Sequence, residues 1–305
     1  MIKEIQKDKT IWINITNPSN KDIALLKQRF AINLPVLSEL TPPIKRSKLE
    51  EYKDYLFLVI HFPLFNRKKR ANESAELDMI IFKNILITSH TVQFPELKQL
   101  FDRCVSDDKL KNRYMENSAV CLAFRILDLL IDSRLPMLDH IDDNINNIDE
   151  GIFEGNERKM VSEIAIIKHD IISFRRIIKP QRVVLENLAH AYSKITYENL
   201  SRLASEVIGS NIKVWNTLEN HKEMIEALEH TNESLLSYKL NDTMKILTAF
   251  SVIILPLSLM VNMFGMNITN GMPFVESPVG FWIIFFMMMI ASMLLIVFFR
   301  YKKWL

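Results

Sequence analysis

The sequence predicts a mixed α/β domain that passes into long helices and ends in two transmembrane helices. Three observations predict it. Runs rich in β-branched and aromatic residues occupy residues 10–110. Apolar residues then recur at 3–4 spacing with hardly a breaker. Two uncharged apolar runs, 246–264 and 279–299, close the chain. At about 1.5 Å per residue, each is long enough to cross a hydrocarbon core of ~30 Å.

Residues 1–114 form the α/β domain. TIWINITNP alternates as a strand and stops at Asn17-Pro18, and NPSNKDIALLKQRF opens a helix with Asn, Ser and Asp at capping positions. EYKDYLFLVIHFPLF and LDMIIFKNILITSH read as strands, with NRKKRANES a polar turn between them. Residues 115–195 form an antiparallel helical hairpin. Its first arm is AFRILDLLIDSRLPMLDHIDDNINNIDEGIFE, its second runs through ERKMVSEIAIIKHDIISFRRIIKP, and it reverses around residues 151–155. Residues 196–245 are the stalk of a third helix. It starts near Tyr197 and meets only Gly209 before Pro256, so about 90 Å of helix leads straight into the first span. The first span is 246–264, the loop 265–278, the second span 279–299 and the basic tail 300–305.

After Lys245 the only charges are Glu276, Arg300, Lys302 and Lys303. The loop has no Lys or Arg and the tail has three, so both termini are placed in the cytoplasm and the loop on the extracellular or periplasmic side of a plasma (inner) membrane. Trp282, Tyr301 and Trp304 fall where an aromatic belt lies. Cys104 and Cys121 have no CxxC spacing and read as buried thiols of a reducing compartment.

The whole chain carries 38 basic and 36 acidic side chains. That balance argues against a nucleic-acid partner, which needs a basic face. No glycine precedes Gly151, which removes a Walker A loop and a dinucleotide fingerprint. The seven histidines make no HExxH. DDNINNIDEGIF lacks the glycine an EF-hand needs, since Asn147 stands there, and reads as a solvated helix face. Asn267-Ile268-Thr269 fits a glycosylation sequon but lies too near the membrane for that role. The chain is read as a non-enzyme.

Within the first span, Thr248, Ser251, Ser258 and Asn262 share one stripe of period 3.5, which Leu255 completes and which extends back to Met244 and Asn241. In lipid such a stripe faces protein or water, as a helix–helix interface or as the lining of a pore. One helix cannot enclose a pore, so the second reading needs an oligomer. Pro256 frees a backbone carbonyl inside this helix, and Ser292 is the one polar interruption of the second span. Gly265 is a natural helix terminator, but it does not explain Asn267 at the outer end of the stripe. A ring of amide carbonyls accepts hydrogen bonds from the waters of a hydrated cation, and Mg²⁺ gives up its waters reluctantly.

Gly265-Met266-Asn267 after an apolar span, a second span and a Lys302-Lys303-Trp304-Leu305 end resemble the CorA magnesium transporter family. NDTMKILTAFSVIILPLSLMVNMFGMN resembles its pore helix, and WINITNP and LDHIDDNINNIDE extend the likeness upstream. The resemblance implies a homopentameric funnel carrying Mg²⁺, with Co²⁺ or Ni²⁺ in some members. It implies a filter at Gly265, Met266 and Asn267, and a pore lined by Asn241, Met244, Leu247, Leu255, Ser258 and Asn262, beside the Thr248 and Ser251 of the stripe. It also implies regulatory Mg²⁺ held by acids at subunit contacts, here Glu206 with Glu76 or Asp78. Asn262 departs from a frequent glycine, His230 from an acid near the inner mouth, and SRLASEVIGSN from an acidic-aromatic segment. A zinc-transporting branch and a membrane-anchored coiled-coil scaffold are the alternatives.

Overall fold

The computed structural model describes residues 2–41, 46–66, 71–115, 118–193, 200–267, 273–274 and 277–304. The chain divides into two units, residues 1–229 and 230–305.

The first unit is built on a six-stranded sheet. Its strands are β1 (Ile2–Lys7), β2 (Thr10–Thr16), β3 (Lys48–Glu51), β4 (Tyr55–Asn66), β5 (Ala71–Phe82) and β6 (Ile85–His90), in the spatial order β1-β2-β6-β5-β4-β3. Only β2 and β6 run parallel, as Ile13 opposite Ile87 and Asn14 opposite Thr88 show. The other pairs are antiparallel. The β1 strand is not evident from its sequence, IKEIQK, whose apolar residues do not alternate. LDMIIFKNILITSH is two strands rather than one, because the chain reverses at Lys83-Asn84. The polar turn is also shorter than expected: residues 71–74 already belong to β5, and 67–70 lie outside the described residues.

Helices cover both sheet faces. Helix α1 (Asn20–Arg29) starts at Ser19, whose hydroxyl accepts from the Asp22 N–H while Asp22 accepts from the Ser19 N–H. This reciprocal box satisfies two otherwise orphaned donors. Leu26 of α1 and Val36 and Leu37 of α2 (Leu34–Glu39) pack with Ile13, Ile15, Phe57, Val59, Ile80 and Ile87. On the opposite face Trp12 meets Phe101 of α3 (Pro95–Ser106) edge-on at 4.9 Å. The Trp12 indole N–H donates to the Thr88 hydroxyl at 3.1 Å, which donates to Asn14 Oδ1 at 2.8 Å, so this buried polar cluster is paired. After α4 (Asp108–Met115), α5 (Ala119–Asp132) is almost wholly buried. Cys104 and Cys121 are free and buried, and burial pushes the Cys104 thiol up to about 11.

The expected first arm of the hairpin is two helices, α5 and α6 (Leu135–Phe153), separated at Ser133-Arg134. Arg134 is buried there, donating to the Pro63 carbonyl and pairing with Glu96 at 2.8 Å. Helix α6 ends at Gly155, whose φ of 91° lets Asn156 N–H reach the Gly151 carbonyl. The next helix, α7, spans Glu157–Ser193 and does not stop at Pro180. Val184, Leu185 and Leu188 continue its buried face, and packing offsets the one hydrogen bond that proline removes. Helix α8 spans Leu200–Phe264, and Tyr197 lies outside the described residues. Within the first unit, Lys168 pairs with Glu229 and Arg175 with Glu219, so α7 and α8 run antiparallel. A buried relay joins sheet to α8: Gln181 donates to the His61 carbonyl, and Asn211 donates to Gln181.

The second unit contains the end of α8 and α9 (Gly280–Tyr301). Both helices are long and apolar enough to span a membrane.

A candidate ion pathway along α8

Between residues 241 and 264, the residues of α8 with reduced exposure are Asp242, Lys245, Ala249, Ile253, Leu257, Met260 and Phe264. They repeat every three or four positions and so form one face. The stripe Asn241, Met244, Leu247, Thr248, Ser251, Leu255, Ser258 and Asn262 is exposed along its whole length. At 3.6 residues per turn it lies roughly half a turn round the helix from the covered face. Side chains suited to a hydrogen-bonding or aqueous environment therefore project from the uncovered side.

Along this stripe polar and apolar levels alternate. Met244, Leu247 and Leu255 are all more than half exposed. The Ser251 hydroxyl donates to the Leu247 carbonyl at 2.9 Å, which leaves its lone pairs free to accept from water. Pro256 lies inside the helix without ending it. The carbonyl it deprives of a partner, four residues back, belongs to Val252.

The helix closes at Phe264, where Gly265 N–H still reaches the Val261 carbonyl at 2.9 Å. Gly265 is not left-handed; Gly155 is the glycine with positive φ among the described residues. Gly265 thus serves as a terminator without the left-handed cap expected of it. Met266 and Asn267 follow immediately and are exposed. Ile268 and Thr269 of the sequon lie outside the described residues. Before α9, Phe274 takes a φ of 68° and its carbonyl oxygen lies where a Cβ on Gly280 would be. That helix start therefore requires glycine.

The acids expected at a contact between subunits lie on different elements of the one chain, Glu206 on α8 and Glu76 and Asp78 on β5. Glu206 is exposed on α8 and pairs with Arg202 at 3.0 Å. Across from Glu206, on α5, lies Asp128. Burial, then Asp132, hold the Asp128 carboxyl above the usual range; Glu206 adds to this, and the Ser210 hydroxyl opposes it. Sequence reasoning missed Asp128, whose one signal was an acid on a helix that is apolar apart from it, Arg125 and Asp132. Asp78 is not a surface acid at all. It is 3% exposed in β5, and burial, then Glu76, push its carboxyl up to about 9. Glu76 sits in a cavity with Oε2 3.4 Å from His61 Nε2. Alternation along the strand points both side chains to one sheet face, which here is interior. Among the described residues, no group of three His, Cys, Asp or Glu side chains is placed to hold a metal ion.

A membrane-length helix with an exposed polar stripe thus ends at Gly-Met-Asn, and a second apolar helix follows it in the chain. Residues 7–302 match the family described as CorA-like Mg²⁺ transporter protein. The chain belongs to the CorA family. The cobalt/magnesium transport protein CorA of Thermotoga maritima is 25% identical over 304 residues, covering 96% of this chain and 83% of that protein. The zinc transport protein ZntB of Pectobacterium carotovorum is 18% identical over 303 residues, covering 99% and 90%. The solved CorA magnesium transporter from Methanocaldococcus jannaschii shares the fold, with a TM-score of 0.84 at 21% identity over 99% of this chain and 94% of that one. As a CorA-family member the chain is a membrane transporter of divalent metal cations.

Proposed function

We propose that this CorA-family chain conducts Mg²⁺ passively into the cytoplasm through the axis of a homopentamer. One observation carries the reading: the polar stripe of α8 lies on the face opposite the covered one and leads to Asn267. Copies arranged around an axis with these faces inward would line a water-filled path. The apolar α9 would then face lipid. At the outer mouth, Gly265, Met266 and Asn267 would present oxygens to an ion that keeps its waters, which suits Mg²⁺. Met244, Leu247 and Leu255 would form dewetting constrictions further in. A membrane potential supplies about 4.6 kcal/mol per 100 mV to a double charge, enough to drive entry without a nucleotide-powered step. The basic residues Arg300, Lys302 and Lys303, against a loop without Lys or Arg, support termini on the cytoplasmic side.

Regulation by Mg²⁺ is assigned to Glu206 with Asp128, whose repulsion a hydrated divalent ion would relieve. In this reading Mg²⁺ raises the melting temperature of the purified protein, and Glu206→Ala reduces that rise. An equal rise in the variant removes Glu206 from regulation.

Flux into liposomes holding the purified protein tests transport, with Mg²⁺, Co²⁺, Ni²⁺ and Zn²⁺ compared at a clamped potential. Mg²⁺ uptake that grows with inside-negative potential is expected. Preference for Zn²⁺ would move the chain to the zinc-transporting branch. Absence of flux for every ion would leave a scaffold.

A further inference from the structure

The first unit holds a cavity of about 730 Å³ between the sheet and α7, and none of the ion pathway residues lines it. We propose that it binds a nucleotide whose base carries an exocyclic amino group. Arg46 and Arg176 line it, both exposed and neither in an ion pair among the described residues. Two guanidinium groups with free donors match the paired oxygens of a phosphate chain. The hydroxyls of Ser74 and Thr91 line the same space and add donors for phosphate or sugar.

Other residues lining the cavity have different chemistry. Ile177 and Pro180 present apolar surface to the cavity, against which a planar base can lie. Glu76 also lines it, and its Oε2 is buried without a hydrogen-bond partner, 3.4 Å from His61 Nε2. A buried acceptor without a donor is costly, and a ligand amino group would supply the donor. The same carboxylate repels phosphate, so it orients the ligand with its base inward and its phosphates at the arginines. The cavity volume falls in the range of sites that enclose molecules of this size.

Calorimetric titration of the full-length protein in detergent tests this, with EDTA present so that no divalent ion bridges protein and phosphate. The probes are ATP, inosine triphosphate (which lacks the exocyclic amine) and pyrophosphate. ATP is expected to bind once per chain and more tightly than the other two. The double substitution Arg46→Ala/Arg176→Ala, at two exposed positions, should weaken ATP by about tenfold or more. Glu76→Gln should narrow the preference for ATP over inosine triphosphate. No ATP binding at millimolar concentration, or binding unaffected by the double substitution in a protein with unchanged melting temperature, overturns the site. Equal affinity for pyrophosphate and ATP overturns the assignment to a nucleotide.

Discussion

Trp12, Phe57, Phe62 and Phe124 in the first unit are fully buried, whereas Phe281, Met293 and Leu294 in the second are each more than 60% exposed. The first unit encloses its own core within one chain and pairs its buried polar cluster at Trp12, Thr88 and Asn14. The second unit is the more apolar of the two and buries far less of itself. An apolar helix left this exposed by its own chain is complete only in lipid or against other copies. The contrast bears on function: the sheet domain is shaped by its own sequence, while the proposed ion pathway along α8 depends on what closes around that helix.

The largest expected effect falls where closure matters most. Asn267→Ala removes the amide carbonyl at the end of the stripe and touches no packed core. Mg²⁺ uptake should be nearly abolished at unchanged expression and membrane insertion. Uptake within about twofold of wild type would detach Asn267 from selection and weaken the distinction between the units.

Truncation of the cores themselves comes next. Phe57→Ala, in the sheet core, should cost about 3–5 kcal/mol in denaturant unfolding of the sheet domain. Met293→Ala, at a position the chain leaves exposed, should cost well under that in detergent. Equal losses would mean that α9 is packed within the chain as tightly as the sheet.

A third effect is kinetic. Leu247→Asn places a polar group at an apolar level of the stripe, where the proposed dewetting constriction would gate. Leak of Mg²⁺ should rise several-fold in liposomes. Unchanged or lower conductance from an intact oligomer would make Leu247 a packing residue, as the interface reading of the stripe requires.

The smallest effect tests the interior of the sheet domain. Burial, then Glu76, push the Asp78 carboxyl up to about 9, far above an ordinary aspartate at about 3.9. Between these values the folded state keeps a proton that the unfolded chain releases, so stability is lost as pH rises through that window. Asp78→Asn should flatten this slope and raise the melting temperature near pH 8 by ~2–4 °C, the shift expected for about 1 kcal/mol. An unaltered slope in the variant would assign the pH dependence to other groups.

What could be read without the structure follows from where each signal lies. Hydropathy over one segment marks both membrane helices, and a 3.5 period within one helix marks the stripe from Asn241 to Asn262, because neighbours along a helix are neighbours in sequence. The box of Ser19 and Asp22 and the turn at Gly155 are local for the same reason. The tertiary structure alone decided that Lys83-Asn84 is a hairpin turn, that α7 survives Pro180, and that Asp78 is interior. It alone brought Asp128 near Glu206, and Arg46 and Arg176 to one cavity. In each case the deciding contact joins residues far apart in the chain. Strand register and helix packing, which no contiguous window contains, set that contact.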